Sequence, residues 1–254
     1  MVTPSPAPDR IAVIVPVAAG EGAPHALFFE RVFGGGRPGI QLIAAADPEA
    51  SSNVREAFAR AGARVHMSSA PRGQRLREAA RLAFEESSSF SPSSSSSSSA
   101  EIPLLLFLHA DTLLPTGWDA AVRRAIASGA VGGAFRLSFS GGGARMRWVA
   151  FWANLRTRLT RVPYGDQAPF VRRDVYEKLG GHRSWTFLED WEFSRRLVAA
   201  EGRGRIALLR ERVETSSRRY LERGVAETVW TNWKILWKAK RGALPERLAS
   251  LYRR

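Results

Sequence analysis

The chain has 254 residues, a length that suits one α/β domain or two small ones, and one is expected. Its 38 Lys and Arg against 24 Asp and Glu leave a formal charge of +14, carried almost wholly by arginine. That balance implies anionic company (nucleic acid, an acidic membrane face or a phosphate-bearing substrate), unless the arginine reflects base composition alone, and the lack of cysteine excludes disulfides, thiolate metal sites and cysteine catalysis.

In chain order, residues 1–10 have no basic start followed by an apolar core, so they read as a short disordered tail rather than a secretion signal. The apolar, β-branched run Ile11 to Val17 reads as a buried parallel strand, and Ile40 to Asp47 as a second one that stops on an acid. The segment between them is a helix closed by glycines and a turn at Pro38. A helix starting at Ser51 or Ser52, a short strand from Arg64 to Met67, and an amphipathic helix from Gln74 to Glu86 follow; the last has Leu76, Ala80 and Ala83 on one face. Strand and helix thus alternate before residue 110, which predicts a mainly parallel sheet flanked by helices. Residues 87–100 are nearly all serine, with no apolar surface to offset their ordering entropy, and read as an insertion in a surface loop.

The run from Leu104 ends on His109, Ala110 and Asp111. A helix from Gly117 to Ser128 and a half-exposed strand from Val131 to Ser140 come next. Arg145 to Arg161 reads as a helix with a basic face, and a strand leads into a helix ended by Gly180 and Gly181. Leu188 to Gly202 is a helix that begins on two acids. A late strand precedes a C-terminal helix with Trp230, Trp233 and Trp237 on one side. No segment has the roughly 18 to 20 consecutive apolar residues needed to cross a bilayer, so a soluble, cytoplasmic protein is expected.

Ligands of open α/β sheets bind beyond the carboxyl ends of the strands, where Asp47 and Asp111 fall. Taken alone, each is either the N-cap of the next helix or a ligand for a hydroxyl or divalent cation. Glu189 and Asp190 are either acids favourable to a helix dipole or catalytic groups. Gly133 marks a bulge or a close approach of backbone to a ligand.

The ordered motifs "LHADTLLPTGWDAAV", "VGGAF", "RVPYGDQAPFVRRDVYEKLGG" and "LEDWEFSRRL" resemble those of the family 2 glycosyltransferases with the GT-A, Rossmann-like fold of nucleotide-diphospho-sugar transferases. Within them, the chain is similar to the small subgroup that includes arsenosugar-biosynthesis-type glycosyltransferases. The resemblance implies a single domain from 11 to 254 and inverting transfer of a sugar from a nucleotide-sugar donor to an acceptor hydroxyl. It assigns Asp190 as base with Glu189 beside it, and Asp111, with His109 as a further candidate, as ligands of Mg2+ or Mn2+. Asp47, Arg72, Arg75, Ala110, Arg218 and Arg219 are implied on the donor nucleotide, and Gly133, Tyr164, Asp166 and Gln167 on the acceptor or sugar. The chain departs from the family pattern after the first strand, after the second strand and near the third helix, all in the nucleotide-binding half. Hence a second expectation stands beside the first: a degenerate GT-A protein that binds a partner or anionic ligand without turnover.

The tryptophan side of the last helix, beside Lys234, Lys238, Lys240 and Arg241, either packs into a core or docks peripherally on an anionic membrane, on its inner face. Specific nucleic-acid binding is not expected, because the cations are spread along the chain and no recognition motif is present.

Overall fold

The computed structural model describes residues 10–34, 39–88, 104–241 and 248. The expected turn at Pro38 lies outside them. So do the tail and the serine-rich insertion, apart from their ends: residue 10 is described, and Ser87 and Ser88 complete a helix.

The parallel half of the sheet consists of β1 (Ile11–Val17), β2 (Ile40–Ala46), β3 (Arg64–Met67) and β4 (Leu104–Phe107). All seven residues of β1 are buried, because helices cover both faces. With a side-chain period of two, Ile11, Val13, Val15 and Val17 face one core and Ala12 and Ile14 the other, and in β4 Leu104 and Leu106 part from Leu105 and Phe107 likewise. The first core is closed by α1 (Leu27–Phe33), α2 (Ser52–Arg60) and α4 (Trp118–Ala127) through Phe28, Phe58 and Trp118. The second is closed by α3 (Arg72–Ser88), α6 (Arg173–Lys178) and α7 (Glu189–Glu201), through residues that include the expected Leu76, Ala80 and Ala83.

The other half contains β5 (Thr112–Leu113), β6 (Gly132–Ser140), β7 (Phe170–Arg172) and β8 (Ile206–Ser216), and the strand order is β3-β2-β1-β4-β7-β6-β8-β5. Pairing is parallel from β3 to β4 and between β6 and β8, and antiparallel where β7 joins β4 and β6 and where β5 joins β8. Because β7 runs against its neighbours, the loop entering β7 lies at the same edge as the carboxyl ends of β1, β2, β4 and β8. The helices α5 (Gly143–Thr160), α8 (Arg218–Arg223) and α9 (Val225–Lys240) complete the elements, and α8 leaves β8 at that edge.

β5 and α8 were not expected, and β6 is mostly buried rather than half-exposed; three further differences concern the helices. The third helix starts at Arg72, two residues early, because Arg75 N–H bonds back to the carbonyl of Pro71 and opens the first turn there. Neither serine caps α2 through its side chain. The outer side of α5 is not simply basic: Trp148, Phe151 and Trp152 are exposed there beside Arg145 and Arg147.

Candidate active site

The loops leaving the strand edge gather a cluster around Arg72, the first residue of α3. A cation at a helix N-terminus opposes the helix dipole, so it needs compensation nearby. Arg72 receives it from Glu189, whose Oε1 lies 3.1 Å from its Nε, and from the fields of Asp190, Glu21 and Asp111. Burial works to discharge the guanidinium, yet these four carboxylates together hold its proton more firmly than usual.

Glu189 is 1 % exposed, and burial raises its carboxyl above the usual range against the pull of Arg72. The contact with Arg72 is an ion pair without hydrogen-bond geometry, and neither carboxylate oxygen accepts a hydrogen bond. Asp190 is held from two sides. Its Oδ2 accepts the backbone N–H of Gly165, and its Oδ1 accepts its own neighbour's N–H, from Trp191, at 2.7 Å. A carboxylate has about four acceptor positions, so this clamp orients the group and leaves lone pairs for a ligand.

Arg72 also donates to Nε2 of His109 at 2.8 Å. Arginine can only donate, so that nitrogen is the acceptor and its lone pair is occupied. Burial, helped by the charges on Arg72 and Arg219, pushes the imidazole down to about 3, so His109 is neutral and turned toward Arg72 rather than offered to a cation. Asp111 is exposed in the turn before β5, where its carbonyl accepts Ser216 N–H at 3.2 Å and Thr112 bonds Thr215 across to β8 at 3.0 Å. It is not a helix cap, since α4 begins only after Gly117.

Asp47 does not cap a helix either. Its Oδ1 accepts Glu49 N–H at 3.0 Å and its Oδ2 accepts from Arg75 at 2.5 Å. The Glu49 bond, then Arg75, holds the carboxyl below its ordinary value against partial burial. Arg75 is itself buried, so the two donor-side candidates satisfy each other.

The loop entering β7 supplies Tyr164 and Asp166. The Arg156 guanidinium, on α5, lies 3.3 Å from the centre of the Tyr164 ring. Asp166 Oδ1 is buried without a hydrogen bond, and burial pushes this carboxyl up to about 6 despite Arg156, with Asp190 and Asp111 adding to the rise. Arg219 and Tyr220 reach the cluster from α8; burial pushes the Tyr220 phenol up to about 12, with the Asp166 charge contributing.

The structure places four further expected site residues as follows. Gln167 is 0 % exposed, with Thr157 donating to its Oε1 at 2.7 Å and its amide reaching the Phe135 carbonyl at 3.3 Å, so it anchors the loop from within. Ala110 packs into the first core. A Cβ on Gly133 would sit 2.3 Å from the Ala207 carbonyl oxygen and 2.7 Å from the Phe170 ring, so this glycine serves close packing of β6 between its neighbours. Arg218 is exposed and pairs with Glu222 at 3.9 Å.

Sequence reasoning missed Glu21, Arg156 and Tyr220. Glu21 is tethered by Ala18 N–H at 2.7 Å, and burial, then Asp111, raises its carboxyl. The only sign of it was an acid in the loop after the first strand, out of the family register. Gly165 was also missed: a Cβ there would come 2.5 Å from His109 Nε2 and 2.7 Å from Asp190 Oδ2, so only glycine lets this loop reach both.

Among solved structures, a glucosyl-3-phosphoglycerate synthase from Mycobacterium tuberculosis, in complex with phosphoglyceric acid, is similar with a TM-score of 0.50 at 11 % identity, over 82 % of this chain and 70 % of that one. The chain has the GT-A glycosyltransferase fold. A second structure of that synthase, in complex with Mn2+, uridine diphosphate and phosphoglyceric acid, is similar with a TM-score of 0.46 at 13 % identity, over 82 % and 69 % of the two chains. No protein-family model and no curated protein matches the sequence.

Whether these residues suit a divalent cation follows from the donor set. Among the described residues no three His, Asp or Glu side chains converge to form a metal cage, and His109 is turned to Arg72. Asp111 offers one exposed carboxylate at the mouth. Magnesium is commonly held by one or two carboxylates together with substrate phosphates and water, and that is the kind of site this chain can provide.

Proposed function

We propose that this GT-A protein is an inverting glycosyltransferase that moves a sugar from a nucleotide-sugar donor to an acceptor hydroxyl. The observation that carries the reading is the gathering of Glu21, Asp111, Glu189 and Asp190 around one half-buried arginine at the carboxyl edge of the sheet. In the proposed reaction Asp190, aimed by Gly165 N–H, takes the proton of the acceptor hydroxyl as its oxygen attacks the anomeric carbon. The bond to the diphosphate breaks on the opposite face, and the leaving group departs with the electron pair. Arg72 and Arg219 supply fixed positive charge for that leaving group. Asp111 is the residue that would hold Mg2+ or Mn2+, which when bound neutralises charge on the diphosphate. The unpaired Oδ1 of Asp166 and the phenol of Tyr164 suit hydroxyls of sugar or acceptor.

One observation favours a second reading, a GT-A protein that binds an anionic ligand without turnover. Cations expected on the nucleotide are already paired within the protein, Arg75 with Asp47, itself expected there, and Arg72 with Glu189.

A thermal-shift and hydrolysis screen over UDP-, GDP-, ADP- and dTDP-sugars separates the two, with phosphoglycerate among the acceptors because of the fold-level neighbour. Stabilisation by one nucleotide class that needs both Mn2+ and Asp111, with turnover lost in Asp190→Ala, supports the transferase. Stabilisation without turnover in wild type supports the binding protein. No stabilisation by any nucleotide at millimolar concentration overturns the donor assignment.

A further inference from the structure

Along α5 and α9 the molecule exposes an aromatic face. Trp148, Phe151 and Trp152 are 57, 58 and 49 % exposed, and Trp230, Trp233 and Trp237 are 55, 55 and 43 % exposed. The helical spacing that would normally turn such residues into a core turns Thr228 and Ile235 inward on α9 and leaves its tryptophans outside. The Trp230 and Trp233 rings stack at 5.3 Å, and an open groove of about 900 Å³ runs between the helices, lined by Arg145, Trp148, Val229, Trp230 and Trp233 with Glu227 at its side.

The charges around this face are mainly positive. Helix α5 exposes Arg145, Arg147 and Arg158 and carries no acid; α9 carries Lys234 and Lys238 against Glu227. Cations and indoles are interleaved: Lys234 lies 5.0 Å above the Trp230 ring and Arg241 3.6 Å above that of Trp237. An indole, with its apolar body and polar N–H, is at home where hydrocarbon meets headgroups, and adjacent basic side chains pair with anionic lipid. A second copy of the chain would bring like charge against like charge, and a nucleic acid would leave most of the apolar groove unfilled.

We propose that this face docks the protein on an anionic bilayer, with the α5 and α9 aromatics at the headgroup boundary and the surrounding cations on acidic lipid. The same stretch of chain reaches the cluster described above, since α5 supplies Arg156 and α8, which runs directly into α9, supplies Arg219 and Tyr220. Under the transferase reading the acceptor hydroxyl then belongs to a membrane-resident amphiphile; the docking itself does not rest on that reading.

The test is sedimentation of the full chain with vesicles of phosphatidylcholine alone and of phosphatidylcholine mixed with phosphatidylglycerol. Binding is expected to the mixed vesicles only. A Trp148→Ser/Trp230→Ser/Trp233→Ser variant should partition about tenfold less, with its melting temperature unchanged as the check on folding. Lys234→Glu/Lys238→Glu, wholly on the exposed side, should also lose binding. Wild-type protein left in the supernatant, or sedimentation that the tryptophan variant does not alter, overturns the proposal. A dimer in solution that this variant dissolves, or displacement from vesicles by an RNA oligonucleotide, overturns it in favour of a second copy or a nucleic acid. None of these readouts needs catalytic activity, so failure here and failure of the transferase reading are separate results.

Discussion

Replacing Arg72 by methionine removes the cation that four carboxylates share and leaves Glu189, 1 % exposed, without its counter-charge. Breaking a buried ion pair from one side costs about 3–5 kcal/mol, and the 27 % exposure of the Arg72 side chain puts the expected loss at the lower end, about 3 kcal/mol. For a domain of this size that is a fall of about 6–12 °C in melting temperature. The pH dependence has a definite sign. The folded-state proton affinity of Glu189 is already raised, so the folded form binds the extra proton, and stability is lost as pH rises from the ordinary carboxylate range through the elevated value. Without Arg72, which pulls the other way, that loss is steeper. Melts of wild type and Arg72→Met at pH 5 and pH 7 should therefore differ less at the lower pH. The cycle completed by Glu189→Gln and the double variant should return a coupling of at least about 1 kcal/mol, the double losing less than the sum. Single effects that add within about 0.5 kcal/mol, with a gap that does not change with pH, would refute the account of Arg72 as the counter-charge of this site.

Other consequences are as direct. Asp166, with its carboxyl pushed up to about 6, contributes stability that is present below the ordinary aspartate value and lost as pH rises through 6; Asp166→Asn should flatten that fall in a melting series from pH 4 to 8. Gly165→Ala forces a Cβ against His109 and Asp190, so it should cost about 1–3 kcal/mol in denaturant melts and reduce any turnover by more than the change in folded fraction accounts for. Gly133→Ala collides with the Ala207 carbonyl and the Phe170 ring, and should destabilise by about 1–3 kcal/mol while leaving the affinity of the remaining folded protein for a nucleotide unchanged; an intact melt with weakened binding would return Gly133 to the ligand. Asp47→Asn should weaken packing of the first turn of α3 through Arg75, read as faster amide exchange at Arg75 and Leu76.

In the parallel half β1, β2 and β4 were legible because each is an apolar run largely buried between helices, whereas β3 is a short, half-exposed edge strand; β1 and β3 begin and end at the residues the pattern names. The two-residue β5 and the short α8 have too few residues for a period to register. At the site, Asp111, Glu189 and Asp190 could be singled out because a carboxylate where an apolar run ends, or at a helix start, needs a reason. What local sequence could not convey was pairing at a distance. Nothing near Asp47 announces Arg75, and nothing near His109 announces that Arg72 fills its lone pair. Gln167 read as a polar loop residue because its partners, Thr157 and Phe135, lie on two other elements. The tryptophans of α9 had two readings from their spacing alone, and their exposure removes the core reading.

The candidate site lies along the seam where the sheet changes from parallel to antiparallel, between β4 and β7. Its residues come from both halves: Glu21, Arg72 and Asp111 from one, and Tyr164, Asp166, Asp190 and Arg219 from the other. Neither half holds a complete site, so the cluster exists only where β7 is paired with β4. A ligand that bridges the seam is in effect a clamp between the two halves of one sheet. Its binding energy should therefore appear as a ligand-dependent rise in the melting temperature of the whole sheet.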